Sequence, residues 1–421
     1  MALSYHLTQL GSAHIAICQM PEAKSVTMGV WFNVGSRYEN TKQNGVAHFI
    51  EHMLFKGTAR YSSKKISELI EGRGGDLNAF TSEENTCYYA RMEARHLPLL
   101  IDVLIDMVQA STFAPAEFAK ERSVILEEIR MYDDMPSSVA SDALNRLLWP
   151  NHSLGRPILG TLQSVENLSR SDLFNFWKKR YQNPLISFAG AINRQEVEKL
   201  LKQKLKSGRA SLQKSEAFKN KPSPNIAALK RPVQQTNVAI GIKTFSRHDK
   251  RRYALRLLNT VLGENMSSRL FQTIRERHGL AYSIHTSLNH FCDTGAFSIQ
   301  AGLEASALEK MFLLTGKEIT RLREKKISSP ELRRAKDYCI GQLQLSLESS
   351  MSQMMWMGET FMGYGRLIDP QITIASIEAV QAEEINQVAR QFLQPQQMSV
   401  VCVGPDITDS ILKSAAKKLL A

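Results

Sequence analysis

Hydrophobic positions along the chain fall into two rhythms. Short apolar runs of strand length at 26–34, 186–189, 238–244 and 398–403, bounded by turn residues, predict β-strands. Longer stretches in which apolar residues return every three to four positions predict helices at 97–109, 115–132, 305–324 and 329–347. Strands opening each half, followed by helices, predict an α+β architecture with helices packed on largely antiparallel sheets. The two halves also echo one another. Tyr181-Gln182-Asn183-Pro184 leads into a strand, Gly190 and a helix from Arg194, and Phe392-Leu393-Gln394-Pro395 leads into a strand, Gly404 and another helix. The echo predicts two similar domains, at 1–206 and 232–421, joined by a linker at 207–231.

With 421 residues, 43% hydrophobic and 22% charged, the chain has enough apolar material for two sizeable cores. No stretch approaches the roughly 18 unbroken apolar residues of a membrane helix. The start of the chain lacks the basic and apolar regions of a signal or transit peptide, so a cytoplasmic location is expected. Five cysteines, odd in number and without a Cys-x-x-Cys, speak against a disulfide framework or a cysteine-held metal. The net charge of +12 is concentrated: between 202 and 231 there are nine basic residues and one acid, together with Gly208, Pro222, Pro224 and Pro232 nearby. Only Phe218 interleaves with those charges, whereas single-strand binding calls for stacking aromatics. Solvated linker chemistry is the expected reading, and no nucleic-acid partner is.

One segment carries chemistry. In Ala47-His48-Phe49-Ile50-Glu51-His52-Met53, helical geometry projects His48 and His52 from one face, one turn apart. Two neutral imidazoles at that spacing can share one Zn²⁺, and Glu51 beside them is placed to touch water rather than metal. The order His-x-x-Glu-His inverts that of most zinc proteases. Such a site needs a third protein ligand, and the helix predicted from Pro115 offers Glu117, Glu121, Glu127 and Glu128. Glu121 and Glu128 share a stripe two turns apart, one ligand and one supporting partner, but spacing alone does not choose among the four.

The metal helix together with a glutamate 76 positions beyond its second histidine resembles the pitrilysin/insulinase family of zinc metallopeptidases. The likeness is strongest to the catalytic subunit of mitochondrial processing peptidase and its bacterial single-chain homologues. It continues through Gly75-Asp76-Leu77-Asn78-Ala79-Phe80-Thr81, Met266-Ser267-Ser268-Arg269-Leu270-Phe271 and Gly279-Leu280-Ala281-Tyr282-Ser283. The chain departs from the family around Gly263-Glu264-Asn265-Met266, with one glycine where relatives often have several. The resemblance implies one zinc per chain held by His48, His52 and Glu128, with Glu121 in support. It implies catalysis by Glu51, and an edge strand in which Asn78, Ala79 and Phe80 meet an extended peptide. It also implies that Arg275 and Tyr282 reach the active site from the opposite half and serve the developing oxyanion.

Such family members enclose a chamber between two two-domain halves, so this chain, one half, is expected to form a homodimer, with a heterodimer with a homologue as the other arrangement. The expected function is a zinc endopeptidase acting on peptides or unfolded segments. The rival is a peptide-binding or regulatory subunit without turnover. Methionines 351, 354, 355, 357 and 362 around Trp356 are expected to be packing residues, and His278 a surface residue.

Overall fold

The apolar runs of the first half form a six-stranded sheet in a computed structural model that describes residues 5–205, 218 and 224–420. Its strands are β1 (Tyr5–Leu10), β2 (Ala13–Gln19), β3 (Ser25–Phe32), β4 (Asp76–Thr81), β5 (Thr86–Glu93) and β6 (Leu185–Gly190). They lie in the order β1-β2-β6-β3-β5-β4, with β2 and β6 parallel and the other neighbours antiparallel. Central β6 is buried along its whole length and β3 at all but its first residue. Both read as continuous apolar runs because both faces of the sheet are covered. The edges are β1 and β4.

The second sheet contains β7 (Ile226–Lys230), β8 (Thr236–Thr244), β9 (Ala281–His290), β10 (Gly295–Leu303) and β11 (Ser399–Gly404), in the order β7-β11-β8-β10-β9. Its one parallel pair, β7–β11, corresponds to β2–β6. Without β1, the first sheet repeats this order as β2-β6-β3-β5-β4, so the fold is α+β with two similar, largely antiparallel sheets.

By its contacts the chain divides into two units, and the division departs from the linear cut at 206 and 232. Among the described residues, the first unit comprises 5–129, 156–205 and 344–369, and the second 130–155, 218, 224–343 and 370–420. The helix Pro136–Leu148 packs Ala140, Leu144 and Leu148 with Ala239 and Val401 of the second sheet. The helix Ser350–Tyr364 packs Met354 and Met357, both wholly buried, with Trp31, Cys18 and Cys87 of the first. These two helices occupy the same place in their halves, 214 residues apart as are β6 and β11 (Pro136 to Ser350, Leu185 to Ser399). Each sheet needs cover on its second face, and each takes it from the other half of the sequence. The linker expectation also shifts: Ile226–Lys230, placed there by the lysines and prolines around it, is β7, while 206–217 and 219–223 lie outside the described residues.

The main core of the first unit lies between its sheet and the helices Val46–Leu54, Leu97–Ala110, Pro115–Asp133, Arg170–Arg180 and Arg194–Lys204. Among the described residues no helix is long and apolar enough to cross a membrane.

Candidate metal centre

The helix Val46–Leu54 is fixed by what it buries. Val46, Ala47, Phe49, Ile50, Met53 and Leu54 are all inaccessible to solvent, which leaves His48, Glu51 and His52 on the remaining stripe. Its N-cap, Gly45, has φ +93°, and a Cβ there would sit 2.5 Å from the Leu159 carbonyl oxygen, so no capping side chain fits. Glu39 supplies the cap from six residues upstream. Its buried carboxylate accepts hydrogen bonds from Gly45 N (2.8 Å), Ala47 N (2.9 Å) and Asn44 Nδ2 (3.1 Å). Burial pushes this carboxyl up to about 7, against the pull of those donors.

Phe49 stacks on Phe118 with ring centroids 5.0 Å apart and planes 6° from parallel. That contact seats the metal helix against Pro115–Asp133 and brings the second carboxylate-bearing stripe into range. Glu128 Oε2 lies 3.8 Å from His48 Nε2 and 3.5 Å from His52 Nε2, and one ligand atom from each residue falls within 4.8 Å of the others. Zinc bonds of about 2.0–2.2 Å at tetrahedral angles set ligand atoms roughly 3.3–3.6 Å apart, so the Glu128–His52 spacing and the donor set fit a zinc ion and the Glu128–His48 spacing is slightly wide of it. Glu121 Oε2 is 3.1 Å from His52 Nδ1, and Lys56 Nζ is 2.8 Å from the other Glu121 oxygen. A carboxylate on Nδ1 leaves Nε2 free to ligate, the usual second layer of such sites. His48 has no such partner. Its Nδ1 is buried without a hydrogen bond, so packing alone orients that ring.

The electrostatics follow from this layout. Burial pushes His48 down to about 4, and the charge on His52 adds to the effect while Glu128 opposes it. Glu128 is held below the usual carboxylate range, first by the hydrogen bond from His52. Glu51 is raised by burial, although a hydrogen bond from the Thr81 hydroxyl (2.6 Å to Oε2) works the other way.

Of the predicted substrate residues, Asn78, Ala79 and Phe80 lie on edge strand β4, paired on one side only, with β5. Side chains alternate along a strand, so the three do not share a face. Ala79 joins the core beside the metal helix. Phe80 turns to the other face, against Trp31 (5.6 Å between centroids) and Tyr89 (6.3 Å). Asn78 is exposed, and its Oδ1 accepts from Ala79 N at 2.8 Å.

Arg275 and Tyr282 belong to the second unit and sit together there, the guanidinium 5.7 Å from the centre of the Tyr282 ring and 4.9 Å from that of Phe271. Tyr282 is 77% exposed at the start of edge strand β9. The preceding segments Thr260–Glu264 and Phe271–Arg277 form wide π-type turns, and His278 bonds through Nδ1 to the Thr273 carbonyl (2.8 Å). Sequence reasoning missed Glu39, Lys56 and Thr81. Lys56 follows His52 by one helical turn and was in principle findable; Glu39 caps from six residues upstream across an irregular segment, and Thr81 lies thirty positions from Glu51.

Comparison with known proteins finds relatives named as zinc proteases. The profile described as insulinase (peptidase family M16) matches residues 14–162, and that described as the peptidase M16 inactive domain matches 167–339. An uncharacterized zinc protease of Mycobacterium tuberculosis is 36% identical over 393 residues, 92% of this chain and 90% of the relative. The uncharacterized zinc protease YmxG of Bacillus subtilis is 38% identical over 379 residues, 88% of this chain and 91% of its own length. A crystal structure of a protease from Helicobacter pylori has the same fold, with a TM-score of 0.91 at 22% identity, covering 96% of this chain and 100% of that one. From its motifs to its two sheets, the chain belongs to the insulinase family of peptidases, family M16.

Proposed function

We propose that this chain is a zinc-dependent endopeptidase, of the inverted His-x-x-Glu-His type, that hydrolyses peptides and unfolded segments. The observation that carries this reading is the convergence of His48, His52 and Glu128 within 4.8 Å, beside Glu51 and next to an open strand edge. His48 Nε2, His52 Nε2 and Glu128 would hold one zinc per chain, and the ion when bound supplies Lewis-acid activation of water and of a carbonyl oxygen. Glu51 takes up the proton that the attacking water loses and passes it to the departing amine. Glu121 fixes the tautomer and tilt of His52. The free edge of β4 takes up an extended chain through main-chain hydrogen bonds, which are indifferent to side-chain identity. A folded protein has no free strand to offer, so flexibility rather than sequence selects the substrate.

The test is digestion of a mixed-sequence peptide library and of folded proteins, with and without a zinc chelator. Flexible peptides are cut, folded proteins resist, and chelation stops cleavage until zinc is restored. Binding of the library with no cleavage in zinc-loaded protein supports instead a peptide-binding or regulatory subunit.

The reading extends to an enclosed homodimer in which a partner copy brings Arg275 and Tyr282 to the charge developing on the scissile oxygen, in the manner of a processing peptidase. Each such donor is typically worth about 3 kcal/mol. Support comes from the presence in one chain of both the metal residues and this exposed pair. Mixing His52→Ala protomers with Tyr282→Phe protomers then restores part of the activity that neither has alone. No recovery after demonstrated subunit exchange rules out the shared site.

A further inference from the structure

The metal helix and the edge strand meet through one hydrogen bond. Thr81, the last residue of β4, places its hydroxyl 2.6 Å from Glu51 Oε2. An ionised carboxylate only accepts, so Thr81 donates. Among the described residues Glu51 has no other hydrogen-bond partner. The opposite residue on β5, Thr86, is fully buried and spends its hydroxyl on the Val34 carbonyl (2.8 Å). Its oxygen also lies 3.5 Å from that of Thr81, a long and weak contact.

Thr81 is itself held with little freedom. The turn after it closes through Ser82 N to Asn85 O (2.8 Å) and Asn85 N to Ser82 Oγ (3.0 Å). The neighbouring segment grips that turn, with Ser36 N on Ser82 O (3.3 Å) and Arg37 N on Glu83 O (2.9 Å). Gly35 allows the approach, since a Cβ there would sit 2.2 Å from Ser82 O. Beneath it Arg37 and Glu84 form an ion pair at 2.8 Å, with side chains 0% and 7% exposed. Such a pair adds little net stability, but it strongly penalises any other arrangement of the turn. Parity along β4 then does the rest. Ala79 and Thr81 face the metal helix, and the main chain that would receive a peptide is the same strand's open edge.

We propose that Thr81 is a positioning residue for the peptidase reaction: its hydroxyl pins one oxygen of Glu51 and leaves the other to face the attacking water. The strand that takes up the substrate thereby sets the rotamer of the base. The proposal rests on Glu51 being that base. A base displaced by about 1 Å can lose on the order of 10²-fold in rate, within the 10²–10⁴-fold that a general base contributes.

The experiment compares zinc-loaded wild type, Thr81→Val, Thr81→Ser and Glu51→Gln on an internally quenched flexible peptide. Valine keeps the shape and removes the donor; serine keeps the donor. Thr81→Val is expected to lower kcat by about 10- to 100-fold with KM within about twofold, and Thr81→Ser to stay within about threefold of wild type. Zinc content and thermal midpoint stay at wild-type values in both. A Thr81→Val kcat within twofold of wild type while Glu51→Gln is inactive overturns this proposal alone. So does a loss confined to KM, or one accompanied by loss of zinc or of thermal stability. Full turnover in Glu51→Gln instead removes the reading on which the proposal rests.

Discussion

Glu51→Gln lowers kcat by about 10³- to 10⁴-fold, toward the upper end of what a general base contributes, while the protein keeps its zinc. Glutamine has the same shape and can still accept the Thr81 hydrogen bond, so neither the helix nor β4 is asked to move. The amide has no basic oxygen with which to take a proton from water. Metal retention follows from the geometry, because the ligand atoms that converge come from His48, His52 and Glu128 and not from Glu51. The proposed base is also tuned. Burial raises Glu51 above the ordinary carboxylate range, the Thr81 bond and the His52 charge lower it, and Glu128 raises it again. A raised carboxyl is a better proton acceptor near neutral pH than an exposed one. Metal analysis and single-turnover cleavage of a quenched peptide check both halves of the prediction. A variant that keeps more than a tenth of wild-type kcat leaves Glu51 without the role of base.

How far the sequence alone leads can be read from particular residues. His48 and His52 were legible because their relation is local: a helix of known pitch places them on one face. The proposed third ligand was not legible from spacing, since Glu117, Glu121, Glu127 and Glu128 all ride one helix. Which of them meets the imidazoles depends on how that helix is rotated, and the Phe49–Phe118 stack sets the rotation. Glu117 is taken up by Lys120 at 3.0 Å, whereas Glu121 and Glu128 reach the histidines. The family resemblance had pointed to Glu121 and Glu128, which residue pattern alone did not. The four strands and four long helices read from periodicity are present with their ends moved by only a few residues, whereas β1, β2, β5, β9 and β10 were not read from the pattern. The exchange of Pro136–Leu148 and Ser350–Tyr364 did not follow from it. An amphipathic pattern says that a helix has a face to bury, not which sheet will bury it. β7 was hidden for another reason, being five residues long between prolines and lysines that read as linker. Thr81 could be assigned to a face by parity along β4, but its partner lies thirty positions away, beyond any local rule.

Zinc binding should displace a proton from His52, and this makes the metal affinity steeply dependent on pH. In the metal-free chain burial works against a charge on His52, but hydrogen bonds to Glu121 and Glu128 and the charges of Glu128 and Glu51 outweigh it and push the ring up to about 9. His48, pushed down to about 4, stays neutral, so near pH 7 the pair carries one proton. A histidine raised in the folded state contributes stability that is fully present below its unfolded value of about 6.5, and that stability is lost as pH rises through about 9. Zinc needs the opposite condition, a neutral Nε2. Its apparent affinity therefore climbs roughly tenfold per pH unit as pH rises toward about 9 and then levels off, with close to one proton released per ion below that point. Calorimetry in two buffers of different ionisation enthalpy reads that proton directly. The carboxylates separate by role in the same experiment. Glu128→Gln removes a ligand and lowers affinity by more than about 100-fold, whereas Glu121→Gln removes the brace on Nδ1 and costs about 10- to 100-fold. Each variant also takes away part of what raises His52, so the levelling-off moves to lower pH. Affinity that stays flat from pH 6.5 to 9, or full zinc content in Glu128→Gln, is incompatible with this ligand set.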